Sequence, residues 1–147
     1  MSRLSMFYAG IVGLSLAATN AAPVSAGEYT PSVDSVEINT GDFTRTGIGY
    51  NGKTPGPVLR FKEGEDVTIK VTNNLNESTS IHWHGLILPY QQDGVPGISY
   101  DGIEPGETFT YQFPIVQSGT YWFHSHSGFQ EPDGAYGAIV IEPKKRE

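Results

Sequence analysis

The sequence predicts an all-β protein, an antiparallel β-sandwich or barrel of six or more short strands. Three observations carry that prediction. Glycine and proline number 18 and 10 in 147 residues, and both punctuate short strands rather than helices. Apolar and polar residues alternate at period two in several segments, as in strands with one buried face. No segment sustains a 3.6-residue apolar period, and there is no internal repeat.

Taken in order, the first 26 residues stand apart. Arg3 is their one charge, and an apolar run extends from Met6 to Ala18. That run is short for a membrane span, and Val24-Ser25-Ala26 suits a signal peptidase. Residues 1–26 therefore read as a secretory signal cleaved after Ala26, which implies a periplasmic or secreted protein with no membrane attachment after cleavage. No Arg-Arg pair stands in the segment, so a twin-arginine route has no support. Residues 27–147 then form a single domain. Both methionines, Met1 and Met6, leave with the signal.

Within residues 27–147, Glu28 to about Thr46 is polar, with one strand-like stretch at Val33–Ile38. A turn-rich stretch, Tyr50-Asn51-Gly52-Lys53-Thr54-Pro55-Gly56-Pro57, follows. Val58 and Arg60 alternate with Leu59 and Phe61, and Val67, Ile69 and Val71 alternate with Thr68, Lys70 and Thr72. Asn73–Thr79 is a polar turn, and Ser80–Leu88 reads as a strand. Asp93–Gly106, with two Asp-Gly and two Pro-Gly steps, reads as a loop. Phe109, Tyr111 and Phe113 alternate again. Gly119–His126 is aromatic and extended, and Ala135–Ile141 is an apolar strand. No linker or second domain is expected after it.

Charge and sulfur exclude several functions. A net charge of −7 leaves nothing to neutralise phosphates, which argues against nucleic acid or an anionic membrane as partner. The chain has no cysteine. Disulfides, thiolate zinc sites, iron–sulfur clusters, a cysteine nucleophile and a cysteine-based blue-copper site are thereby excluded.

The chemistry lies in the histidines. All four fall in two His-x-His pairs, His82-Trp83-His84 and His124-Ser125-His126. On a strand, residues i and i+2 share a face about 6.5–7 Å apart. If the two strands are neighbours, four imidazoles meet in one patch. A lone histidine is more often a satisfied structural residue, but two such pairs favour a metal site. Imidazole donors without sulfur favour Cu(II), which tops the divalent affinity order. A cupin also uses His-x-His, but needs a glutamate where Ile87 and Leu88 stand. A zinc hydrolase with three histidines needs one pair and one distant histidine, which fits two pairs less well.

Ser80-Ile-His-Trp-His-Gly-Leu and Gly119-Thr-Tyr-Trp-Phe-His-Ser-His-Ser resemble the first two copper motifs of the multicopper oxidases. Gly52-Lys-Thr-Pro-Gly-Pro-Val-Leu-Arg, Asp93-Gly-Val-Pro-Gly and Ser127-Gly-Phe-Gln are similar to the copper-resistance protein A branch. The resemblance covers Tyr50 to Pro143. It implies a cupredoxin-like Greek-key antiparallel β-sandwich, the N-terminal plastocyanin-like domain of a laccase or copper-resistance enzyme. It implies copper as cofactor, with His82 on the type 2 copper and His84, His124 and His126 on the type 3 pair. These would be four of the eight histidines of the trinuclear site that reduces O2. It also implies an acid near the cluster at Asp93, relaying protons. Aromatic packing on the far side of the strands is expected for Trp83, Trp122 and Phe123.

The cysteine-bearing type 1 site of the family is absent from these residues. The chain is therefore not expected to be active alone. A second chain or a second copy would complete the trinuclear site. The alternatives are a stand-alone exported copper-sequestering protein without turnover, and a remnant that keeps the fold without a role.

Overall fold

The computed structural model describes residues 28–145. The proposed signal, residues 1–26, lies outside the described residues. The described residues form nine strands: β1 (Glu28–Tyr29), β2 (Ser32–Asn39), β3 (Thr44–Tyr50), β4 (Leu59–Lys62), β5 (Asp66–Asn73), β6 (His82–His84), β7 (Thr108–Pro114), β8 (Gly119–His124) and β9 (Tyr136–Glu142). The one helical element among the described residues is a 3-10 turn at Tyr90–Gln92.

The strands form two sheets. In the first, β7 pairs with β5, and β1 and β2 also pair with β5, with β3 beyond β2. In the second the order is β4-β9-β8-β6. The sheets pack face to face because each strand puts its alternate apolar residues inward. Val67, Ile69 and Val71 of β5 and Tyr111 and Phe113 of β7 meet Phe61, Phe123 and Ile139 of the other sheet in one buried cluster. Trp83 sits at its centre, fully buried, with its ring centroid 5.1 Å from Tyr111 and 5.4 Å from Phe113.

The β-sandwich matches the expectation, with differences in detail. β1–β5, β2–β5 and β4–β9 are parallel pairs, so the sheets are mixed rather than wholly antiparallel. β3 is not predicted by the sequence, because its glycines resemble turn residues. They serve close approach instead: a Cβ at Gly47 would stand 2.3 Å from Ile38 Cδ1, and one at Gly49 2.2 Å from the Lys53 carbonyl oxygen. The strand expected over Ser80–Leu88 shrinks to His82–His84. At Gly85, φ of +83° turns the chain back, and the Leu86 N–H donates to the Trp83 carbonyl at 3.1 Å. β8 likewise stops at His124, because the bonds beyond it are not returned. Ser125 N–H still donates to the Ala135 carbonyl at 2.9 Å, but Ala135 N–H turns to the Gln130 carbonyl at 2.9 Å and His126 N–H to Ser80 Oγ at 2.8 Å.

Candidate metal centre

Register decides the site. β6 and β8 are antiparallel neighbours, with His82 opposite His124, Trp83 opposite Phe123 and His84 opposite Trp122. Alternation then sends Trp83 and Phe123 into the core and the histidines to the other face. Ser125 is also buried away from the histidines. The expected meeting of the two pairs is therefore present.

The rings converge closely. His82, His84 and His124 each offer a ring nitrogen, and the three atoms lie within 4.8 Å of one another. The His126 ring centroid is 5.6 Å from His82 and 6.0 Å from His124, at the margin of the group. His84 and His126 are exposed, His82 is half-buried, and His124 is buried.

Two of the rings are held by the chain. His82 Nδ1 is 2.8 Å from the Asp93 carbonyl oxygen and 3.5 Å from the Asp93 carboxylate. A carbonyl can only accept, so Nδ1 carries the hydrogen and a neutral His82 presents Nε2 as a lone pair. Gly94 makes this approach possible. Its φ is +76°, and a Cβ there would stand 1.7 Å from the Ile81 carbonyl oxygen. His124 is held in the same way: Nδ1 is 2.9 Å from the Ser125 carbonyl oxygen and 2.8 Å from Glu131 Oε2. His124 Nε2 then faces His84 Nδ1 at 3.3 Å. Burial pushes the His124 imidazole below the ordinary histidine range, and His82 and His84 act in the same direction. The Ser125 carbonyl and Glu131 pull the other way, more strongly than the two histidines push, but burial outweighs them. The neutral ring that a metal requires is therefore favoured.

The turn after His126 is anchored from beneath. Gln130 is buried, and its Oε1 accepts from Thr79 Oγ1 at 2.7 Å and from Ser125 Oγ at 2.8 Å. Its Nε2 donates to the Ser78 carbonyl at 2.9 Å. Ser80 and Ser127 hydroxyls meet at 2.9 Å beside it.

The expectation for Trp122 fails. It does not pack on the far side of its strand. Two residues from His124, it shares the histidine face, stacked on His124 with centroids 4.1 Å apart and 5.0 Å from the His84 ring. Period-two counting back from His124 was enough to place it there. Glu131 carries no signal in the sequence, since nothing local distinguishes it from a solvated charge.

This donor set suits copper. It has clustered imidazoles, two with their hydrogen fixed on the outer nitrogen, and no sulfur. A family model described as multicopper oxidase matches residues 32–146. The chain belongs to the multicopper oxidase family. Among members, it is 53% identical over 124 residues to copper resistance protein A of Pseudomonas syringae pv. tomato, covering 84% of this chain and 20% of the relative. It is 50% identical over 133 residues to copper resistance protein A of Escherichia coli, covering 90% and 22%. The chain thus spans about a fifth of the length of these curated relatives. The solved multicopper oxidase of Pseudomonas thermotolerans superimposes with a TM-score of 0.79 at 33% identity, covering 85% of this chain and 31% of that one. The laccase of Botrytis aclada does so with 0.75 at 42% identity, covering 79% and 22%. The fold is the cupredoxin-like sandwich of these multicopper oxidases.

Proposed function

We propose that residues 27–147 are a copper-binding domain of a copper-resistance or laccase-type multicopper oxidase, supplying four of the eight histidines of a trinuclear copper site. The observation that carries this reading is the register placing His82 opposite His124, which gathers both His-x-His pairs on one face. By the family resemblance, His82 would hold the type 2 copper, and His84, His124 and His126 the type 3 pair. Copper held there would supply the one-electron chemistry that reduces O2. The chain's own residues do the rest. The Asp93 carbonyl holds the hydrogen of His82 on Nδ1, with the Asp93 carboxylate 3.5 Å from the same atom. The half-buried Asp93 carboxylate would take up and release protons beside that ring. Trp122 shields one face of His124 from water.

The remaining ligands would come from a second polypeptide segment, either another chain or another copy of this one. With no cysteine there is no thiolate for a type 1 copper, so these residues would not oxidise phenols by themselves. Residues 1–26 would direct the protein to the periplasm or outside the cell. No helix among the described residues is long and apolar enough to cross a membrane. A second reading, an exported copper-sequestering protein without turnover, draws on the exposed His84 and His126, which can bind without a completed cluster. Copper stoichiometry and phenol oxidation by the purified chain test both. Copper uptake without oxygen consumption is expected, and sustained phenol oxidation would overturn the requirement for a second segment.

A further inference from the structure

His82 and His124 share an arrangement that the two motifs do not encode. Each ring places Nδ1 against one backbone carbonyl and one carboxylate, and the two carboxylates come from different loops. For His82 both acceptors belong to Asp93. For His124 the carbonyl belongs to its own neighbour Ser125, and the carboxylate is delivered from the β8–β9 connection by Glu131, at 2.8 Å.

We infer that Glu131 is a positioning residue for His124, holding the ring by a carboxylate–imidazole hydrogen bond and raising the basicity of Nε2. This inference rests on the reading of His124 as a copper ligand. The Ser125 carbonyl is enough to keep a hydrogen on Nδ1. What Glu131 adds is a negative charge against that N–H, which draws the hydrogen outward and makes the opposite nitrogen a stronger donor to a cation. With Asp93 it places two anionic groups behind the ligand shell, on the side away from the shared centre.

The placement of Glu131 is built, not incidental. Gln130, next to it, is plugged into the interior through Thr79, Ser125 and Ser78. The backbone around it is closed by Ala135 N–H to the Gln130 carbonyl at 2.9 Å and Gly134 N–H to the Glu131 carbonyl at 3.0 Å. The turn also ties to the opposite sheet, where Ile48 N–H donates to the Asp133 carbonyl at 3.0 Å. Glu131 therefore hangs from a fixed backbone one short side chain away from His124, with its own side chain half open to solvent.

The test compares Glu131→Gln, which removes the charge, and Glu131→Ala, which removes the acceptor as well, with Glu142→Gln, which removes a charge at the exposed end of β9. Cu(II) affinity is measured against a competing chelator, and the His124 ring N–H is followed by NMR in the metal-free chain. The expected result is about a tenfold loss of affinity for Glu131→Ala, a smaller loss for Glu131→Gln, and none for Glu142→Gln. The His124 N–H signal should move upfield in both Glu131 variants while the urea midpoint stays with the wild type. Wild-type affinity together with an unmoved ring N–H in Glu131→Ala would overturn the inference. A wild-type chain that takes up no copper would overturn the copper reading itself, and the inference with it, before any variant is compared.

Discussion

The four histidines sit on one face but divide into an inner and an outer pair. His82 and His124 are direct cross-strand partners, each gripped at Nδ1 by the chain's own oxygens. His84 and His126 lie at the two ends of the row, exposed. His84 is opposite Trp122 rather than another histidine, and His126 is tied through its backbone to Ser80 while its ring reaches outward. The same His-x-His motif thus contributes one preset ligand and one adaptable ligand on each strand. Register makes the difference: antiparallel pairing superimposes the first histidine of one motif on the first of the other, so the second ones diverge.

The strongest way to break this comparison is to delete one pair at a time. His82→Ala with His124→Ala should abolish measurable Cu(II) binding, whereas His84→Ala with His126→Ala should weaken it about tenfold, since preset ligands lose less freedom on binding. Equal losses by calorimetric titration would show that the inner pair has no privilege.

Acid should act next. Metal ligands must be neutral imidazoles, so Cu(II) affinity should fall at least about tenfold between pH 7.5 and 5. In the metal-free chain His124 should titrate below about 6.5, the ordinary histidine value. The unfolded chain then holds more protons than the folded one in that window. Stability from this group is therefore full above about pH 6.5 and is lost as pH falls toward the lowered folded value. A His124 ring-proton titration above 6.5 would contradict the burial argument.

Gly94→Ala would make an inner histidine resemble an outer one. The new Cβ collides with the Ile81 carbonyl and pushes Asp93 off His82, so we expect a loss of about 2–4 kcal/mol in urea denaturation and weaker copper binding. Gly97→Ala is the control. It also has positive φ, +74°, but nothing within 4 Å of a Cβ, and it should lose only about 1 kcal/mol with copper binding intact.

The smallest effect lies away from the histidines. Burial raises the Asp34 carboxyl, but hydrogen bonds from Ser32, Asn74 and the Gly52 N–H outweigh it and hold the group below its ordinary value. Its contribution is present above about pH 3.9 and is lost as pH falls through the lowered folded value. Asp34→Asn should flatten the stability curve only in that acid range. An effect near pH 6 would mean that acid reaches the fold through something other than the histidines.

Much of this was legible in the residues. Period-two alternation at Val67–Val71 and Phe109–Phe113 named core strands, and two His-x-His motifs named the site, because both signals depend only on neighbours in the sequence. β3 was illegible because Gly47 and Gly49 carry their information in what they allow to approach, Ile38 and Lys53, and not in their own side chains. The parallel pairings of β4 with β9 and of β2 with β5 join distant segments that no local pattern relates. Glu131 belongs with these, since its meaning comes from a turn closed by Gln130. Trp122 is legible, because two residues back from His124 lies the same face of the strand.

The order of the second sheet also has a consequence for synthesis. β9, residues Tyr136–Glu142, lies between β4 and β8 and pairs with both. A chain emerging amino-terminus first presents both histidine motifs before the strand that seats them exists. Until β9 arrives, β8 has only the three-residue β6 beside it, and two short strands do not hold together in water. The late, long-range pairing makes assembly slow. A half-made chain would expose loose histidines that can bind copper in the wrong geometry, so keeping the metal away until β9 has closed the sheet becomes a requirement on where and when the protein meets it.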